Sequence, residues 1–214
     1  MALDLMKFEF HDPKIVSLLG FPDDIKKFEN YFLINKGNIS ILWNRNKKTL
    51  EIEIDGQWVE LLPDQLITTT YLQHVTNKKS AFVLTVLLFN WEFHYIRDHD
   101  SEVSCHGILF FGTQDLPIIT VPSDQQRKFN TLNKVFENEF STPDRIKGDM
   151  LQLLLKRLII TCTRLAKEQQ IVQKLKNDQV EIIRKFNVLV DSHYRTKRKV
   201  SDYAELFAQN KSTN

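Results

Sequence analysis

Histidine and cysteine are the residues in this chain best suited to holding a metal or attacking a carbon, and their spacing argues against both. The 214 residues include six histidines and two cysteines. On a strand, positions i and i+2 point to one face, so a strand that grips a metal offers its imidazoles as His-x-His. No such pair occurs; His11, His74, His94, His99, His106 and His193 stand apart. His99-Asp100-Ser101-Glu102 with Cys105-His106 has the inventory of a metal cluster. Its simpler reading is an acidic hairpin loop running into a buried strand, with Cys105 as a small apolar residue. Cys105 and Cys162 are far apart in sequence and read as buried, reduced thiols of a cytoplasmic protein. No serine or cysteine has the local setting of an activated nucleophile, and there is no glycine-rich phosphate loop. The residues therefore assign no catalytic group, no metal and no cofactor.

Charge offers a second kind of chemistry. The formal net charge is only +2, so the chain as a whole does not read as a nucleic-acid binder. Between Arg184 and Lys199, however, six bases (Arg184, Lys185, Arg195, Lys197, Arg198, Lys199) face a single acid, Asp191. That excess is either a phosphate-facing patch or a solvated helix end.

The element that organises the rest is a helix over Asp149–Gln173. From Leu151 to Ile160 it is apolar on nearly every side, and such a helix needs cover from two directions. Lys156 and Arg157 interrupt the run, which is far shorter than the ~20 apolar residues of a membrane span. Leu151, Leu155, Leu158, Cys162 and Leu165 follow the three-four spacing of a helix-pairing seam, so the expected second cover is the same helix of a twin.

Upstream, residues 25–112 read as strands. Leu50–Ile54 alternates apolar and acidic residues, Asp55-Gly56 follows, and Gln57–Leu61 completes a hairpin. Ala81–Phe89 is a nearly unbroken apolar strand, buried on both faces. About eight short strands with turns every ~8–12 residues point to a small antiparallel barrel or sandwich. Trp43, Trp58 and Trp91 are expected to fill its core. Ser123 is expected to cap a helix striped by Phe129, Leu132, Phe136 and Phe140, which Thr142-Pro143-Asp144 ends. A helix over Gln179–Tyr194 should bury Ile182, Ile183, Phe186, Leu189 and Val190. After the basic loop, Ser201 or Asp202 caps a short helix over Asp202–Ala208. The N-terminal MALDLMKFEFHD carries acids and no apolar core, so it does not read as a signal peptide.

The last third, FNVLVDSHYRTKRKVSDYAELF from Phe186 to Phe207, resembles the arabinose-regulator (AraC) family of transcription factors. The His193-Tyr194 pair, the basic loop and the run Val200, Asp202, Tyr203, Ala204, Leu206 carry the likeness. EVSCHGILFFG, DLPIIT and MLQLLLKRLIITCTRLA resemble the sensory half of such regulators. The resemblance implies an α+β chain in three parts: a cupin-like sensory β-barrel over 1–122, a helical dimerisation segment over 123–176, and a partial DNA-binding domain over 177–214. It implies a homodimer that responds to a small effector, with Trp43, Tyr71 and His74 as candidate pocket residues. Arg195, Lys197, Arg198 and Lys199 become candidate phosphate contacts. The family's first recognition helix would begin around Ser212, so this stretch is expected to touch phosphates without reading base sequence. The alternative implied by the barrel is a metal-dependent cupin-type enzyme, which the missing His-x-His disfavours.

Overall fold

A computed structural model of the chain describes residues 7–12, 15–20, 39–70, 73–76, 84–89, 93, 109–110, 116–169, 186, 189–190, 193 and 196–211. The described strands are β1 (Lys7–Asp12), β2 (Ile15–Gly20), β3 (Ile39–Trp43), β4 (Leu50–Ile54), β5 (Gln57–Leu61), β6 (Gln65–Thr69), β7 (Val75–Thr76), β8 (Thr85–Phe89) and β9 (Ile118–Thr120). The described helices are α1 (Ser123–Ser141), α2 (Lys147–Glu168) and α3 (Val200–Lys211). The fold is α+β.

All the described pairings are antiparallel, and they make two sheets. The larger has the order β1-β2-β8-β3-β6-β9, the smaller β5-β4-β7. No ladder joins the two sheets among the described residues.

The smaller sheet is the part most directly dictated by local sequence. Asp55 (φ 51°) and Gly56 (φ 80°) both have positive φ, as a two-residue type I′ turn requires. That turn sets the register Ile54↔Gln57 through Leu50↔Leu61. Leu50, Ile52 and Ile54 are then buried while Glu51 and Glu53 are only half-buried. Trp58 departs from the expectation of a core residue: it is 45 % exposed, because the turn's register puts it on the outer face of β5.

The larger sheet is covered on both faces, which is why β3 and β8 read as continuous apolar runs. Leu42, Ile67, Val86 and Leu88 meet Leu50, Ile52, Ile54, Leu61 and Val75 of the smaller sheet. On the other face, Ile41, Trp43, Leu66, Leu87 and Phe89 meet α1 and α2. Asn44 ties the two layers. Fully buried, it donates from Nδ2 to the carbonyls of Lys48 (2.9 Å) and Leu61 (2.8 Å), and accepts the Asn46 N–H at Oδ1 (2.9 Å).

Helix α1 begins one residue earlier than a Ser123 cap would allow. Pro122 holds the cap position, and its carbonyl accepts the N–H groups of Gln125 (2.9 Å) and Gln126 (3.0 Å). Phe129, Asn133, Phe136 and Phe140 form its buried stripe, with Leu132 packed beside it. After α1, Asp144 accepts the Ile146 N–H (3.1 Å) and redirects the chain into α2. At the far end of α2, Gln169 covers the edge of the larger sheet. Its Nε2 donates to the Thr120 carbonyl (2.6 Å) and its Oε1 accepts the Thr120 N–H (3.0 Å). An edge strand otherwise presents unpaired backbone groups.

The seam on α2 requires a correction. Leu151, Leu155, Cys162 and Leu165 are at most 1 % exposed and sit in the chain's own core, with Leu158 packed against them. They are covered without a twin. The three-four spacing identified a buried stripe correctly, but spacing alone does not say whether the partner surface belongs to the same chain. What α2 leaves outside is a different stripe: Ile146 (64 % exposed), Met150 (41 %) and Leu153 (62 %). No helix among the described residues is long and apolar enough to cross a membrane.

Candidate functional site

Strand register assembles the floor of a pocket on the helix-covered face. Trp43 on β3 stands opposite Leu66 on β6 and Thr85 on β8, and Ile41 stands opposite Leu87. Directly opposed residues share a face, so these five side chains lie side by side. The roof is Phe129, Leu132, Asn133 and Phe136 from α1 and Leu158 from α2. Together they enclose a cavity of about 30 Å³.

Two polar atoms in this lining are unanswered. The indole Nε1 of Trp43 and the hydroxyl of Thr85 are buried and have no hydrogen-bond partner among the described residues. Leaving a buried donor or acceptor unmade costs about 1–3 kcal/mol each. The rest of Trp43 is firmly held. The ring of Phe129 meets it edge-on at 5.9 Å and 64°. The Arg45 guanidinium lies 5.0 Å from its centroid and donates to Asn130 Oδ1 (3.0 Å) on α1. Asn133 is 6 % exposed and spends its Nδ2 on Glu137 (2.7 Å).

The arrangement offers apolar surface and two hydrogen-bonding groups. An indole N–H only donates, whereas a threonine hydroxyl donates and accepts. No charged side chain lines the cavity, and an ion there would lose its hydration without a counter-charge. The fitting guest is neutral, mostly apolar, and carries an acceptor atom. About two water-sized bodies fill a volume of this kind. A pocket for a metabolite-sized ligand is ten times larger or more.

Of the three residues expected to line an effector pocket, the structure places Trp43 here. His74 is exposed and lies just before β7, where its N–H donates to Asp55 Oδ1 (2.8 Å) and its carbonyl accepts the Asp55 N–H (2.9 Å). Tyr71 lies outside the described residues. Thr85 and Asn133 were missed. The available signal was a polar residue inside an otherwise apolar strand or stripe.

His94, His99, Cys105 and His106 lie outside the described residues. Among the described residues no group of three or more His, Cys, Asp or Glu is placed to hold a metal ion. Burial pushes the Cys162 thiol up to about 12, which holds it protonated and unreactive at neutral pH.

The basic segment has a defined local structure. Residues 186, 189, 190 and 193 are helical, and the His193 carbonyl then accepts the N–H groups of Thr196 (2.9 Å) and Lys197 (2.8 Å) in a tight turn. Asp202 in the first turn of α3 reaches back to the N–H groups of Arg198 (3.3 Å) and Lys199 (3.2 Å). It thereby satisfies donors that a helix start leaves open. The Tyr203 hydroxyl donates to the Lys197 carbonyl (2.9 Å), and its ring meets Phe186 edge-on at 5.8 Å. Arg198 and Lys199 are exposed and Lys197 is half-buried; Arg195 lies outside the described residues. Leu189 is buried as expected, whereas Phe186 is 39 % exposed. Compared with known protein families and with characterised proteins, the chain matches none.

Proposed function

We propose that the chain is the sensory portion of an AraC-type DNA-binding transcription regulator. On this reading the two sheets form a cupin-like barrel, and a small effector binds between the larger sheet and α1 and α2. The segment ending in α3 is the opening of a helix-turn-helix unit. The pocket carries the reading, because Trp43 and Thr85 hold two buried hydrogen-bonding groups that nothing else among the described residues answers. A guest that answers them and shifts the roof moves α1 and α2, the elements that follow the barrel in the chain. The braced turn between His193 and Asp202 supports the second half of the reading, since it presents Arg198 and Lys199 outward. Pairing with a second copy remains part of the proposal, but not through the Leu151–Leu165 seam, which is internal.

The test is chromatin immunoprecipitation of the native gene product, with transcripts measured in parallel. Discrete enriched sites whose transcripts change in a Thr85→Val strain support the reading. A product that enriches no site overturns it. Thr85→Val is suitable because it keeps the shape and removes only the hydroxyl. It is expected to raise stability in chemical denaturation by about 1 kcal/mol, the unmade hydrogen bond being gone.

A further inference from the structure

A second concavity lies on the opposite side of α2 from the core, and its chemistry differs from that of the pocket. It has a volume of about 630 Å³ and is walled by Gln125 and Lys128 of α1 and by Leu153, Lys156, Arg157, Ile160 and Arg164 of α2, among others. Four cations line it against one acid, Glu168. Lys128, Arg157 and Arg164 are exposed, Lys156 is half-buried, and none of the four has a carboxylate partner among the described residues. Leu153 stands between them at 62 % exposure. Leu153 and Ile160 are seven residues apart, about 10 Å along one side of the helix. Beyond Leu153 the same exposed stripe continues through Met150 and Ile146.

We propose that this groove is a docking site for an acidic, amphipathic helix of a partner protein. Like charges gathered round one concavity raise its positive potential, and a polyanion relieves it. The apolar residues decide which polyanion. A nucleic-acid backbone offers nothing to Leu153 and Ile160, whereas a helix with leucines at three- and four-residue steps and acids alongside satisfies both sets. Helix-in-groove recognition of this kind reads apolar anchors one and two turns apart. A bilayer surface is flat, and this site is concave between two helices. The inference does not depend on the effector reading, because it uses none of the pocket residues except through the shared helix α2.

The test is fluorescence anisotropy with a labelled ~16-residue peptide of glutamate and leucine, leucines at i, i+3, i+4 and i+7. Saturable binding is expected to weaken at least about tenfold, 1.4 kcal/mol, in Arg157→Glu/Arg164→Glu and in Leu153→Ser. It is expected to recover in part in Arg157→Lys/Arg164→Lys. Far-UV circular dichroism is expected to be unchanged in all three, because these residues are exposed. Failure of the peptide to bind overturns the proposal. So does equal binding of polyglutamate, or displacement of the peptide by duplex DNA or anionic phosphatidylserine vesicles. Concentration-dependent self-association that Leu153→Ser abolishes also overturns it, assigning the groove to a second copy.

Discussion

At the scale of single residues, burial and hydrogen bonding separate side chains that composition treats alike. Cys162 is a thiol in name, but desolvation lifts it from its ordinary value to about 12. Its folded value lies above its unfolded one, so the protonated thiol favours the native state fully below about pH 9. That contribution is lost as pH rises towards 12. Chemical denaturation followed between pH 8 and 11 is expected to show falling stability, with the fall reduced in Cys162→Ala. Iodoacetamide is expected to modify Cys162 only in unfolded protein. Asn44 shows the converse: a polar side chain inside the fold whose Nδ2 and Oδ1 are both answered. Asn44→Ala strands the Leu61 carbonyl and is expected to cost about 3 kcal/mol, read as a lower denaturation midpoint. Nothing in its sequence neighbourhood marks Asn44 as structural. Only the packing of β5 beneath it makes it a tie between layers.

At the scale of elements, α2 carries three surfaces. Leu151, Leu155, Ile159, Cys162 and Leu165 face the core, Leu158 closes the pocket, and Leu153 with Arg157 and Arg164 lines the outer groove. Substitutions on α2 are therefore expected to sort by face rather than by hydrophobicity. Leu158→Glu puts a charge into the half-buried position that closes the pocket and is expected to cost about 1–3 kcal/mol, since apolar packing is lost and the carboxylate is partly desolvated. Leu153→Glu is expected to stay within about 0.5 kcal/mol of the parent. Thermal unfolding of the two variants side by side measures the difference. The sequence showed that the helix needs cover on more than one side. It did not show which side the same chain covers, because both stripes repeat at three- and four-residue steps.

At the scale of the molecule, one apolar cluster links β3, β6, β8 and β9 to α1 and α2, so the larger sheet and both helices share a core. These elements are expected to unfold together. Urea transitions followed by the Trp43 indole resonance and by far-UV circular dichroism should then coincide. Two transitions with the helices lost first would show that α1 and α2 are a separate unit. What the sequence determined by itself is local: the Asp55-Gly56 hairpin with its strand ends, the α1 stripe, the break at Thr142-Pro143-Asp144, and a β region before the helices whose described pairings are antiparallel. Each depends on residues a few positions apart, where turn geometry and periodicity act directly. Tertiary structure decided the rest. Trp43 meets Thr85 only because β3 and β8 pair across more than forty residues, and Leu158 meets both because α2 folds back over that face. Such encounters arise from how sheets and helices share limited apolar surface, and no short-range pattern in the chain records them.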